Sequence, residues 1–333
     1  MTILMEAEGL TKHFPGRRGL IDMARGTKRP VVQALTEITL DIRAGETLGI
    51  VGESGCGKST LARCLVGLHA PDRGTVRFAG ADLGGMTATK RLAFHRQVQM
   101  IFQDPYGSLN PLMSVGDTLA EALSVHAIVP KAAIPARVAE LLAMVHLPPD
   151  AAARRPHEFS GGQRQRIGIA RALAVEPKII VADEPVSALD VSVQAQIVNL
   201  LLELRARLGL TLVFITHDLR LVRHMTQRVA VMYLGRVVEL GPTADLFAAP
   251  RHPYTRALLR AVPQLTPGMR GRDAAVRGEL PSPLAPPSGC AFHPRCAIAE
   301  ARCAVSVPGL EARGGEWPVA CLLQEGAGKA FFL

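Results

Sequence analysis

Three short runs of the chain are apolar without polar interruption: TLGIV at 47–51, KIIVAD at 178–183 and TLVFITH at 211–217. Alternating polar positions would mark strands wetted on one face. Uninterrupted runs rich in Val and Ile mark strands covered on both faces. Helical spacing separates each run from the next. In QAQIVNLLLELRARLG, the residues Ile197, Leu200, Leu201, Leu204 and Leu208 recur on one face, and Gly209 closes the segment. Strands alternating with helices predict an α/β fold with a parallel sheet. From 112 to 158 the pattern is helical, with breaks at Pro130, Pro135 and Pro148–Pro149, and predicts an inserted helical subdomain. VAVMYLGRVVELG (229–241) predicts a hairpin turning at Leu234–Gly235–Arg236. After about residue 245 the sheet-like runs stop and Pro and Gly become dense. This divides the chain into 1–245 and a small irregular domain at 246–333. The chain has no internal repeat.

Composition narrows the class. Of 333 residues, 48% are hydrophobic, which fits a buried core and excludes a disordered chain. No apolar run approaches bilayer length. The start MTILMEAEGL lacks the basic segment of a secretory signal, so a cytoplasmic location with reduced thiols is expected. The formal charge of +9 favours phosphates, nucleic acid or an anionic membrane surface without choosing among them. The basic stretch PGRRGLIDMARGTKRP (15–30) reads as a solvated loop between two strands.

The strongest chemical signal is GESGCGKST (52–60), which follows one apolar run and opens an amphipathic helix. It satisfies G-x-x-x-x-G-K-[ST] in strand–loop–helix context. Gly52, Ser54, Gly55, Cys56 and Gly57 supply a loop whose N–H groups can close around phosphates. Lys58 is expected to reach the β- and γ-phosphates, and Ser59 with Thr60 opens the helix, the Ser59 hydroxyl serving Mg²⁺. KIIVADEP ends a strand on two acids. Asp183 is expected beside the metal, and Glu184 can polarise a water for in-line attack. His217 ends the third apolar run, at the same sheet edge.

FSGGQRQRIGIARAL (159–173) adds a second anion-binding helix start, with Ser160 as N-cap followed by Gly161, Gly162 and Gln163. This stretch is similar to the signature motif of the ATP-binding cassette (ABC) ATPases, with Phe159 where Leu is usual. The resemblance implies that the signature of one subunit covers ATP on the phosphate loop of another. It also implies the remaining roles. FQD (102–104) supplies Gln103 to Mg²⁺ or the attacking water, and SALD (187–190) supplies Asp190 across the dimer. THD (216–218) supplies His217 to the γ-phosphate, and Phe14 stacks on adenine. The fold it implies is a P-loop ABC nucleotide-binding domain with an antiparallel β subdomain.

FQDPYGSLNPLMSVG (102–116), RHPYTRALLRAVPQL (251–265) and GELPSPLAPPSGCAFHPRC (278–296) resemble the ATP-binding subunits of bacterial dipeptide and oligopeptide importers. That resemblance implies an ATPase at the cytoplasmic face of the inner membrane. Its expected partners are two permease subunits, a second and different ATPase subunit, and indirectly an extracytoplasmic solute-binding protein. Nickel or glutathione are alternative cargoes. Two alternatives are a soluble ABC protein acting on nucleic acid or ribosomes, and a binding or regulatory module that does not hydrolyse ATP, against which Glu184 and His217 argue. The interval from Gln103 to Ser160 is too short for the coiled-coil arm that repair-type members carry, so no nucleic acid is expected.

Four of the six cysteines fall in the tail: Cys290, Cys296, Cys303 and Cys321, with five, six and seventeen residues between them. No C-x₂₋₄-C pair of the usual structural zinc kind occurs. A [4Fe–4S] cluster accommodates wider spacing and would help fold a segment too short and Pro-rich to build much core. Zinc and free thiols stay open beside it. Cys56 and Cys64 read as small buried residues.

Overall fold

The computed structural model describes residues 2–16, 29–104, 106–261, 278–312 and 316–324, so most of the basic stretch at 15–30 lies outside the described residues. The strands are β1 (Ile3–Pro15), β2 (Val31–Arg43), β3 (Thr47–Val51), β4 (Arg73–Phe78), β5 (Ala81–Asp82), β6 (Val98–Ile101), β7 (Ile179–Asp183), β8 (Thr211–Ile215), β9 (Arg228–Tyr233) and β10 (Arg236–Pro242). The helices are α1 (Lys58–Leu65), α2 (Ala88–Gln97), α3 (Val115–Val125), α4 (Ile134–Met144), α5 (Gly161–Leu173), α6 (Val191–Leu208), α7 (Leu219–Met225), α8 (Thr243–Ala248), α9 (Pro253–Arg260) and α10 (Ala301–Val305).

The three apolar runs are neighbours in one sheet of order β10-β9-β3-β8-β7-β6. It is parallel from β9 to β6 and ends in the antiparallel β10. Every residue of β3, β7 and β8 is buried, because both faces are covered. Successive residues enter different cores: Val181, Val213 and Ile215 pack towards α1 and a second sheet, while Ile180, Leu212 and Phe214 pack towards α5 and α6. That second sheet is antiparallel, in the order β2-β1-β4-β5. Arg228, at the start of β9, joins the sheets by bonding Asp41 of β2 at 2.8 Å and Glu46 at 3.1 Å.

The 112–158 segment is helical. A capping box of Ser114 and Asp117 starts α3, whose Leu119 and Leu123 meet Leu141 and Leu142 of α4. Pro135 lies in the first turn of α4, and Pro149 opens a single 3₁₀ turn. These prolines begin elements as well as break them, since a first turn has no use for their missing N–H. The β9–β10 hairpin turns on two residues, Leu234 and Gly235, at φ 41° and 74°. Arg236, expected within the turn, already pairs with Tyr233.

Beyond β10, α8 runs through residue 245, and the tail folds back on the hairpin. Glu239 of β10 is fully buried and accepts hydrogen bonds from the Arg251 and His252 main chain and from Trp317 Nε1, at 2.8, 3.0 and 2.9 Å. Phe292, Cys290 and Cys296 join Tyr233, Val238 and Tyr254 in a small third core. The tail thus shares the core of β9 and β10.

Candidate nucleotide-binding and hydrolytic site

The loop Gly52–Gly57 leaves β3 and delivers Lys58 to the first turn of α1. A Cβ at Gly52 would stand 2.2 Å from the Met232 carbonyl oxygen, and one at Gly57 2.3 Å from that of Ala34, so the loop fits against its neighbours only with glycine there. Lys58 is nearly buried; its ammonium donates to the carbonyls of Gly52 at 2.8 Å and Glu53 at 3.0 Å. Ser59 Oγ donates to Asp183 Oδ1 at 3.0 Å. Cys56 is buried, with Sγ 4.0 Å from Lys58 Nζ, and burial pushes its thiol up.

Asp183 and Glu184 close the far side. Glu184 sits at φ 44°, its N–H held by the Ile215 carbonyl at 3.0 Å. Three groups from separate elements converge on its carboxylate. Gln103 Nε2 donates to Oε2 at 3.2 Å, His217 Nδ1 lies 3.4 Å from the same oxygen, and Lys58 Nζ lies 3.9 Å from Oε1. Burial pushes the Asp183 carboxyl above its ordinary value; the neighbouring Glu184 charge adds to this, and the Ser59 hydroxyl offsets part of it. An oxygen-only donor set with an under-compensated carboxylate fits Mg²⁺, with Ser59 and Asp183 as the residues to hold it.

A pocket of about 300 Å³ runs from this edge to Phe14, walled by Ser54, Gly55, Gly57, Lys58, Ser59, Thr60, Gln103 and Glu184. Phe14 meets His69 edge-on with ring centres 5.5 Å apart. Val32, Ala34 and Pro283 complete the wall and were not singled out from sequence. A larger cavity of about 880 Å³ separates the second sheet from the tail, and two of its carboxylates are already paired, Glu8 with Arg77 and Glu37 with Arg236.

Ser160, Gly161, Gly162, Gln163 and Asp190 do not line the pocket among the described residues. Ser160 and Gln163 form a capping box at the start of α5. Gly162 packs so closely on α6 that an added Cβ would lie 2.4 Å from Val193. Asp190 is the N-cap residue of α6. The capped helix start at Ser160 is thus separate from the pocket beside Lys58.

Cys303 and Cys321 are buried, and Cys290 and Cys296 are partly buried. Burial pushes the Cys296 thiol up to about 11, and the other three cysteines each add to the shift, so the four lie within electrostatic reach of one another. Among the described residues no group of three or more His, Cys, Asp or Glu is arranged to hold a metal ion. The zinc and iron–sulfur readings thus gain no metal-sized site.

The family model for ABC transporters matches residues 35–187, and that for the oligopeptide/dipeptide transporter C-terminal region matches 238–303. A probable peptide ABC transporter ATP-binding protein of Sinorhizobium fredii is 49% identical over 98% of this chain and 92% of its own length. The chain belongs to the ATP-binding subunits of the peptide ABC transporters. This peptide-transporter subunit is also 46% identical to a di/tripeptide transport ATP-binding protein of Pseudomonas aeruginosa, over 93% of this chain and 94% of that one. Among solved structures, a dimeric ATP-binding cassette bound to ADP and phosphate matches it with TM-score 0.62 and 28% identity, covering 72% of this chain and 99% of that one. The cassette architecture expected from the motifs is the one found. No helix among the described residues is long and apolar enough to cross a membrane.

Proposed function

We propose that this subunit hydrolyses ATP to drive import of di- or oligopeptides. In this reading it works at the cytoplasmic face of the inner membrane, on two permease subunits and beside a second, different ATPase subunit. An extracytoplasmic binding protein brings the peptide. The observation that carries the hydrolytic part is the convergence of Lys58, Gln103 and His217 on Glu184. The loop N–H groups and Lys58 hold the β- and γ-phosphates while Phe14 meets the base. Glu184 orients and polarises the water, Gln103 aligns it, and His217 steadies the γ-phosphate. Ser59 and Asp183, with Gln103, would hold Mg²⁺, which when bound would supply charge neutralisation at the phosphates. Ser160–Gln163 and Asp190 serve the nucleotide of the neighbouring subunit, which agrees with their standing apart from this chain's own pocket. Residues 1–245 form the cassette, with 112–158 as its permease-facing helical subdomain, and 246–333 form the tail.

Glu184→Gln is the direct test. It should retain ATP binding, accumulate a nucleotide-bound dimer on gel filtration, and lose turnover by about two to three orders of magnitude. Unchanged turnover would remove Glu184 from this role. In proteoliposomes carrying the permeases and binding protein, peptides should stimulate hydrolysis; stimulation by nickel or glutathione instead would replace the cargo.

The four tail thiols are proposed as ligands of a [4Fe–4S] cluster. The support for this over zinc is the spacing of the four cysteines, which lacks the close C-x₂₋₄-C pairs of structural zinc sites. Iron, sulfide and zinc analysis of anaerobically purified protein tests it. Four irons per chain are expected, and a colourless, iron-free protein that still hydrolyses ATP would leave the cysteines as packing residues.

A further inference from the structure

Two stretches that mark the tail, RHPYT (251–255) and FHPRC (292–296), have no part in the ATP chemistry above, yet a side chain of each reaches one residue of the phosphate loop. Tyr254 Oη accepts the Glu53 N–H at 2.9 Å. Arg295 grips the Glu53 carboxylate with both terminal nitrogens, Nη1 to Oε2 at 2.8 Å and Nη2 to Oε1 at 3.1 Å. The tyrosine is fully buried, and the arginine side chain is 7% exposed. Neither is free to wander. Tyr254 is boxed by Tyr233 and Phe292 at ring-centre distances of 4.7 and 5.4 Å, and Arg295 also donates to the Gly278 carbonyl at 3.1 Å.

Glu53 in turn positions the loop's working cation. Its carbonyl accepts from Lys58 Nζ at 3.0 Å, and the Gly52 carbonyl just before it accepts at 2.8 Å. Because Tyr254 occupies the Glu53 N–H, that group faces the tail, while the Glu53 carbonyl also accepts the Cys56 N–H at 3.3 Å and so ties the loop to itself. A bidentate arginine on a carboxylate fixes orientation as well as distance. We propose that Tyr254 and Arg295 are positioning residues for the phosphate loop: they lock Glu53, and through it aim Lys58, so that the tail sets this subunit's affinity for ATP. The proposal rests on the ATP-binding reading of that loop.

The test is titration of the full-length chain with a fluorescent mant-ATP and Mg²⁺, beside thermal melting, with KM and kcat taken on the assembled transporter. Tyr254→Phe keeps the ring and its packing and removes only the hydroxyl. It is expected to raise Kd and KM about five- to tenfold with kcat at saturation changed less than about twofold. Arg295→Met should do the same, and Arg295→Lys should recover part of the loss. Glu53→Gln combined with Arg295→Met should be no weaker than either alone, since both sever one contact. Kd within about twofold of wild type in Tyr254→Phe and Glu53→Gln, with only the melting temperature lowered, would overturn the proposal and make the contact purely structural. A wild-type chain that fails to bind mant-ATP would instead overturn the ATP reading itself.

Discussion

Asp183 shows how a residue can be placed at a cost to the fold. It is 3% exposed, with one hydroxyl donor from Ser59, and burial raises its carboxyl. An acid raised in the folded state ionises more easily in the unfolded one, so the nucleotide-free protein loses stability as pH climbs through that folded value. Asp183→Asn keeps an oxygen for Ser59 and removes the charge. At pH 7.5 without Mg²⁺ it is expected to melt higher than wild type by calorimetry, because burial outweighs the relief given by Ser59, Arg63 and Lys58, while Mg²⁺-dependent turnover falls at least about a hundredfold. Lower melting would contradict the assignment of Asp183 as an uncompensated charge. Glu184 carries a different cost, a left-handed φ of 44° that side chains other than glycine rarely adopt. Residues 52–60 and 183–184 were legible from sequence because each set is contiguous and its chemistry depends on local spacing. The partners of Glu53 were not, because Tyr254 and Arg295 lie about 200 and 240 positions away and only folding brings them there.

Among the elements, α9 depends on one histidine. His252 caps it, with Nδ1 accepting the Tyr254 N–H at 3.1 Å, and full burial holds its imidazole neutral, down to about 3 from the usual 6.5. Below pH 6.5 the unfolded chain takes a proton that the folded chain refuses, so stability falls as pH drops from 6.5 towards 3 and is untouched at pH 7.5. The expected loss at pH 5.5 is about 1 kcal/mol, read as a shift in urea midpoint between the two pH values. His252→Asn should flatten that dependence; an equally steep loss in the variant would show that other groups cause it. Pattern reading found β3, β7, β8 and α6 because each is uniformly apolar or cleanly periodic. It placed β1 and β2 only as two strands flanking the basic stretch, without bounds, because their paired ladder shifts register repeatedly and so breaks the alternation that marks a strand. The antiparallel sheet was expected only through family likeness.

At the scale of the whole molecule, two sheets and a tail must hold one pocket in shape, and buried polar links join them. Arg228 is one: with Glu46 buried and Asp41 half-buried against it, Arg228→Ala would leave Glu46 without a cationic partner among the described residues and Asp41 with Arg43 alone. That change is expected to cost about 3 kcal/mol by urea unfolding. A loss under about 1 kcal/mol would mean water reaches the site and the link is weak. Glu53 is the corresponding link to the tail, and Pro283 carries the tail into the pocket wall. Recombination between genes for two such subunits, joining the front of one to the end of the other, would therefore splice the ATP site itself. Such hybrids should persist only where the incoming end still brings a tyrosine hydroxyl and an arginine fork to the same loop residue, a constraint on exchange that acts far from the peptide being carried.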